Sequence, residues 1–307
     1  MIRARNSLAA LALGVACLSG CGGPQSSVST MPAATIHPVQ RSVAFRPAAY
    51  TAPRALYVLD YATGVVDVLK NKTYQEIGSI SDGGTPWDVN LDRSGNVYIA
   101  NNAGRVDEFP PNSSTPSFTY TAGMSLPFSV TVDDHGDVFE VDNSTVNEYY
   151  QGVNKVLYTC SISPFPTGIA VDSNNDVFVG VGGGSDQIFE FVGGLRGCNA
   201  TVLGVSIYAS GMAVDKAGNL VVCGSGTVDV IAPPYTGVTR TIGSGWVSPW
   251  TVAISRDNKY AFVTDINHSR QVVQVVNYQT GANVTTLGGG NGLVQPLAAV
   301  DGPNAVY

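Results

Sequence analysis

From residue 54 onward, hydrophobic residues fall in short runs, either on alternate positions or continuously for four to six residues. Each run is closed by an Asp, Asn or Gly. Alternation with period two, bounded by Gly and Asn turns and rich in Val and aromatic residues, predicts β-strands. One composite unit recurs: TPWDVNLDRSGNVYIAN (85–101), LPFSVTVDDHGDVFEVD (126–142), FPTGIAVDSNNDVFVGV (165–181), ASGMAVDKAGNLVVCG (209–224) and SPWTVAISRDNKYAFVTD (248–265). Each copy reads as a strand, an Asp, a turn and a second strand. The strand-ending residues Asp92, Asp133, Asp172, Asp215 and Ser255 are spaced by 41, 39, 43 and 40 residues. A third and a fourth strand follow each pair, as in RVDEF (105–109) with SFTYT (117–121), and QVVQVV (271–276) with NVTTL (283–287).

Four short strands per ~40 residues predict an all-β protein made of four-stranded antiparallel propeller blades. The ends of the pattern set the number of blades. The first unit opens at LYVLD (56–60), which aligns with the second strand of a blade, and its missing first strand reappears as QPLAAVD (295–301). Five complete blades and one split blade make a six-bladed β-propeller whose first blade is closed by the C-terminal strand. That closure removes the sheet edges a linear array would expose.

Before the repeats, the chain reads as an address. Arg3 and Arg5 precede a short apolar stretch that ends in Leu18-Ser19-Gly20-Cys21-Gly22-Gly23. A charged start followed by an apolar segment too short for a permanent span predicts a signal peptide over residues 1–20. The terminal tetrapeptide resembles the bacterial lipobox, in which the Cys becomes the first mature residue and carries lipid. That resemblance implies lipidation at Cys21 and membrane anchoring through more than one acyl chain. Residues 21–53, rich in Pro, Ala, Ser and Thr, predict a flexible tether. The expected location is the bacterial cell envelope, facing the periplasm or the exterior.

The repeats themselves resemble the NHL type, whose pattern reads P-x-G-[IV]-A-V-D-x-x-G-N-[VL]-Y-V-A-D. FPTGIAVDSNNDVFV and RSGNVYIAN carry the likeness, which extends over residues 55–307. It implies the propeller architecture of the gluconolactonase and regucalcin superfamily. It does not select a function, because such propellers serve as scaffolds, lyases and lactonases alike.

Composition narrows the options further. Only 13% of residues are charged and the net charge is −7, so no basic surface for nucleic acid is expected. Alignment of the innermost strands predicts two columns facing the central channel. One holds Asp88, Ser129, Gly168, Gly211, Thr251 and Leu297; the other holds Asn90, Thr131, Ala170, Ala213, Ala253 and Ala299. Asp88 is the sole ionisable group among them, with no second carboxylate to share a metal. Asp60, Asn101, Asp142 and Asp265 end the second strand in four units, where Val181 and Gly224 stand in two others. They read either as turn-setting residues or as a cation-binding rim. The series Asp92, Asp133, Asp172, Asp215 and Asp301 reads as turn chemistry. Trp87, Phe128 and Trp250 share one column before the channel strand. They are either packing residues or a platform for a flat ligand.

His37, His135 and His268 are spread over the tether and two different turns, which argues against a shared zinc site. Cys223 reads as a core residue. Cys160 and Cys198 fall at strand ends expected on opposite faces, beyond bridging distance, whereas an oxidising compartment favours a bridge. Both outcomes stay open at this level. The expectation is a monomeric, non-catalytic binding or scaffolding propeller without a cofactor, taking a protein, peptide or glycan. The alternatives are a Ca²⁺-dependent hydrolase or lactonase centred on Asp88 and Asn90, and a sugar- or solute-sensing propeller.

Overall fold

Strands of this chain cannot bury both faces within one sheet, and the structure solves this by setting sheets face to face around an axis. It is a computed structural model that describes residues 55–267 and 270–302. The expected signal peptide (1–20), Cys21, the tether, His37 and His268 lie outside the described residues. Among the described residues, 24 strands form six four-stranded antiparallel sheets, the predicted six-bladed β-propeller. Blade 1 joins the C-terminal strand Pro296–Asp301 to Ala55–Asp60, Val65–Lys70 and Glu76–Ser81, in that order from the axis outward. The innermost strands of blades 2 to 6 are Pro86–Leu91, Ser129–Val132, Pro166–Val171, Gly211–Val214 and Pro249–Ile254. They touch in sequence around the ring, and the C-terminal strand sits between blades 6 and 2.

Burial follows this geometry. Second strands such as Val97–Asn101 and Val138–Asp142 are buried throughout, whereas the outer strands of blades 4 and 5 are largely exposed. The apolar side chains form six clusters, one between each pair of neighbouring blades. Phe139 and Val146 of blade 3 pack with Val177 and Phe191 of blade 4. Leu59 and Leu297 of blade 1 pack with Val89 and Ile99 of blade 2. The hydrophobic core is therefore a ring of interfaces around the channel.

The closing strand departs from the sequence alignment by one residue. Asp60 pairs with Pro296, Leu59 with Ala298 and Leu56 with Asp301. In blade 2, Asn101 pairs with Pro86, Ala100 with Asp88 and Val97 with Leu91. Ala298 and Val300 therefore hold the places of Asp88 and Asn90, and Leu297 and Ala299 do not. Asp301 correspondingly leaves the turn series. Gly302 donates its N–H to the Ala55 carbonyl, as Asp92 does to Asn96. The alignment misplaced this strand because its partner, Ala55–Asp60, lies at the other end of the propeller, so no short turn joins the two strands to fix the register.

The disulfide left open by the sequence is present: Cys160 and Cys198 are bonded, with Cα atoms 5.4 Å apart. Strand-end reasoning placed the two cysteines on opposite faces. Instead, residues 192–199 leave the strand Gln187–Phe191 and cross to the edge of blade 3. Gly193, Gly194 and Gly197 adopt positive φ in this segment. Leu195 is buried in the core shared by blades 3 and 4, and its N–H donates to Glu148 Oε2 (3.2 Å). The excursion carries Cys198 to the outer strand that holds Cys160. Cys223 is reduced and buried, as expected.

Between blades 2 and 3 lies a carboxyl that the sequence gives no reason to notice. Glu140 is fully buried; it accepts from Asn147 Nδ2 (2.5 Å) and lies 3.4 Å from the Tyr149 hydroxyl. Burial pushes its pKa up to about 8, with the Asp142 charge adding to the rise and the two hydrogen bonds opposing it. Burial likewise raises Asp82 and Glu148 to about 7 and Asp67 and Asp88 to about 6. An acid with a raised folded pKa holds its proton more tightly when folded, so its stabilising contribution fades as pH rises through that pKa. The domain is therefore expected to melt at a higher temperature near pH 5 than near pH 8. A tenfold gain in proton affinity on folding corresponds to about 1.4 kcal/mol. Glu140→Gln keeps a neutral partner for Asn147 and should flatten that slope between pH 5 and 8. An unchanged slope in melting curves of the variant would show that Glu140 is ionised in the fold.

Candidate functional site

The channel is divided. At one end lies a cavity of about 450 Å³, lined by the innermost strands and by Trp87, Phe128, Phe165, Tyr208 and Trp250. At the other end, a second cavity of about 410 Å³ is lined by the turns that carry Asp92, Asp133, Asp172 and Asp215. Val132, Val171, Val214 and Ile254 belong to both walls. These aliphatic side chains form a collar that separates an upper cup from a lower vestibule.

Asp88 and Asn90 line the cup, but their hydrogen bonds run to the next blade. The Val89 N–H donates to Asp88 Oδ1 (2.9 Å), and the Ser129 hydroxyl (2.5 Å) and Val130 N–H (3.1 Å) donate to Oδ2. Asn90 Nδ2 donates to the Val130 carbonyl (3.2 Å), and its Oδ1 accepts from Leu91 N–H (2.7 Å). The innermost strand of a blade has one unpaired edge, and these two side chains satisfy the edge of blade 3 at Val130. Burial raises Asp88 to about 6, against the lowering effect of its three donors. The carboxylate without partners expected from the sequence is thus an inter-blade clamp. Asp88→Ala should strand the Ser129 hydroxyl and Val130 N–H at a cost of about 1–3 kcal/mol. The melting temperature should fall by about 2–4 °C for each kcal/mol lost. A variant that melts with the wild type would mean that water replaces the clamp at no cost.

The four residues at the ends of second strands share one role. Asp60 accepts from the N–H groups of Val294 and Gln295, and Asn101 from Thr85. Asp142 accepts from Ser125 and Leu126, and Asp265 from Val247 and Ser248. Each fastens the crossover that enters its own blade's innermost strand. The family is interrupted in two ways. In blade 5 a Cβ on Gly224 would stand 1.7 Å from the Tyr208 carbonyl oxygen, and in blade 4 Val181 is buried in the core shared with blade 3. The Asp92, Asp133, Asp172 and Asp215 carboxylates each accept N–H groups two and four residues ahead, as turn residues. Ser255 does the same work through its hydroxyl, which accepts from Lys259 and Tyr260. His135 Nδ1 lies 3.3 Å from Asp133 Oδ2 on the exposed surface. Among the described residues, no three His, Cys, Asp or Glu side chains converge with metal-ligand spacing.

The aromatic residues form a crown at the cup's mouth. Tyr61, Trp87, Phe128 and Phe165 make a continuous edge-to-face chain, with centroid distances of 5.8, 5.4 and 4.7 Å. Trp250 packs on the cluster shared by blades 1 and 2, and Tyr208 completes the wall in blade 5. All six rings are half-buried. All but Tyr61 line the cavity, and Trp87, Phe128 and Phe165 do so while packing on neighbouring rings, so the two roles weighed from the sequence are compatible. Phe165 and Tyr208 were missed because blades 4 and 5 carry Thr167 and Ser210 in the Trp87 column. Their aromatic residue stands two positions earlier, on the same side of an extended chain. A search of the column extended by one period would have found them.

No protein-family model matches this chain, and no curated protein matches it. Among solved structures, the chain is similar to a protein of unknown function from Bacteroides caccae. That likeness has a TM-score of 0.65 at 11% identity, covering 82% of this chain and 99% of that one. It is a likeness of fold. A similarity to Kuenenia stuttgartiensis hydrazine synthase has a TM-score of 0.46 at 20% identity, over 52% of this chain and 48% of that one.

Proposed function

We propose that this protein is a non-catalytic binding propeller of the NHL type, held at the bacterial cell envelope by a lipid on Cys21. Its ligand enters the upper cup. The observation that carries this reading is the crown: blades 2 to 6 each place one aromatic ring around a cavity of about 450 Å³. That volume lies within the range of small-molecule sites, which are mostly apolar with few polar groups. The acidic group in the cup, Asp88, has both oxygens engaged by Ser129, Val130 and Val89. A general base must be aimed at the substrate's proton, whereas three of the roughly four acceptor positions of this carboxylate are taken by the protein, so this arrangement favours binding over hydrolysis.

Two measurements test the reading. Cys21→Ser should move the protein from the membrane fraction to the soluble fraction without changing its melting curve. Persistence with membranes would remove the lipid anchor from the proposal. The Ca²⁺-dependent hydrolase alternative, centred on Asp88 and Asn90, requires a cation that stabilises the fold by mass action. Melting with and without millimolar Ca²⁺ should show no shift. A rise that disappears in Asp88→Ala would replace the binding reading with the metal-dependent one.

A further inference from the structure

Taking the cup as the ligand site, we infer that its ligand is a neutral, flat, largely apolar molecule that inserts end-on between the crown rings and stops at the aliphatic collar. Most polar side chains in the cup wall already have hydrogen-bond partners within the protein; the exception is the buried indole N–H of Trp87, which has none and can donate one bond to a ligand. Asp88 and Asn90 are spent on blade 3. The Thr167 hydroxyl donates to the Ala209 carbonyl (2.6 Å), and the Ser210 hydroxyl donates to the Cys223 carbonyl (3.0 Å). The hydroxyls of Thr251 and Thr264 are bonded to each other at 2.9 Å. A sugar brings many hydroxyls into a wall with one unpaired donor, and each hydroxyl buried without a partner costs about 1–3 kcal/mol.

What the wall does offer is π-surface and aliphatic surface. Five crown rings surround the mouth, Ala213 and Ala253 leave room below them, and Val171, Val214 and Ile254 close the floor. The Asp88 charge disfavours an anion in this chamber, since among the described residues its wall holds no Lys, Arg or His. The same carboxylate already accepts three hydrogen bonds, from Ser129, Val130 and Val89, which leaves it a weak partner for a cation. Shape, apolar contact and one hydrogen bond from the Trp87 N–H are left as the means of selection, and burial of a planar ring between aromatic edges is the main favourable contact available.

The test uses the lipid-free mature chain carrying Cys21→Ser and a set of naphthalene derivatives that differ in charge. The probes are a neutral dimethylaminonaphthyl ketone, a naphthalene sulfonate, a naphthylmethyl trimethylammonium salt, and cellobiose as the sugar. The chain has three Trp residues, and two of them, Trp87 and Trp250, line the cup, so quenching of intrinsic fluorescence reports occupancy directly. The neutral ketone should quench, shift its own emission to the blue and raise the melting temperature. Its affinity should exceed those of the sulfonate and the ammonium salt by at least ~tenfold. Ala253→Phe, which fills the cup beneath the crown, should abolish the quenching. Ala213→Phe does the same from blade 5 and serves if the first variant melts early. Tighter binding of the ammonium salt or of cellobiose would overturn the neutral-ligand assignment while keeping the cup as a binding site. Quenching by the ketone that survives both filling variants would place it elsewhere and overturn the inference. No response to any of the four probes would overturn the reading of the cup as a small-molecule site.

Discussion

Deletion of residues 294–307 is expected to abolish the folded domain. The described part of this segment is the innermost strand of blade 1, paired along its length with Ala55–Asp60. It also packs against the innermost strands of blades 2 and 6. Leu297 and Ala298 belong to the core between blades 1 and 2, and Ala299 to the core between blades 6 and 1. Two further links are lost: the Asp60 carboxylate loses the N–H groups of Val294 and Gln295, and Tyr61 loses the Gln295 carbonyl. Five ladder pairs at about 1 kcal/mol each, with the burial of Leu297, give a loss on the order of 5–10 kcal/mol. That equals the whole stability of a typical domain. The opened ring also exposes the edge of Ala55–Asp60, a template for aggregation. Size-exclusion chromatography should find the truncated chain in aggregates, and circular dichroism should show no cooperative melt. A soluble monomer with the wild-type melting curve would refute closure by the C-terminal strand.

Removal of the bridge between Cys160 and Cys198 should have the second largest effect. It closes a loop with a sequence separation of 38 residues, which the chain-entropy relation values at about 4 kcal/mol. The loss should also fray the contact between blades 3 and 4, because the bridge holds the excursion 192–199 that plugs their shared core with Leu195. Cys160→Ser with Cys198→Ser should lower the melting temperature by roughly 8–16 °C, at 2–4 °C for each kcal/mol. Reduction of the wild type by dithiothreitol should reproduce this shift and leave the double variant unaffected. Equal melting curves for reduced and oxidised wild type would show that packing of Leu195 alone secures the junction. Hydrogen exchange should rise first in residues 192–202, since the excursion is tied to blade 3 by the bridge and one hydrogen bond from Leu195 to Glu148.

The fold was legible in the sequence because its determinants are local. Period-two alternation, a turn Asp that caps its own backbone, and a repeat near 40 residues are properties of each short segment. Asp92, Asp133, Asp172 and Asp215 make in three dimensions the bonds that their spacing implies. The split blade was legible for a related reason: a first unit without its inner strand and a last strand without a unit have one economical arrangement. The amide and carboxylate family was half legible. Turn-setting was foreseen, while the crossovers that Asp60, Asn101, Asp142 and Asp265 fasten were not.

What the tertiary structure decided were contacts between residues about 40 positions apart or across a long connection. Asp88 reaches Val130 because the radial stacking of blades sets one strand's side chains against the next strand's unpaired edge. No local pattern encodes that partner. The one-residue register of Pro296–Asp301 comes from pairing with Ala55–Asp60 at the other end of the chain, without a turn to transmit it. Cys160 and Cys198 meet because an eight-residue loop with three left-handed glycines leaves its own blade, a path that strand counting cannot contain. The crown closes through Phe165 and Tyr208 because Gly182 leaves space for a ring. Sequence alone therefore determined the strands, their number and their order. Packing between blades determined which side chains are clamps, which cysteines are joined and where the chain leaves a chamber.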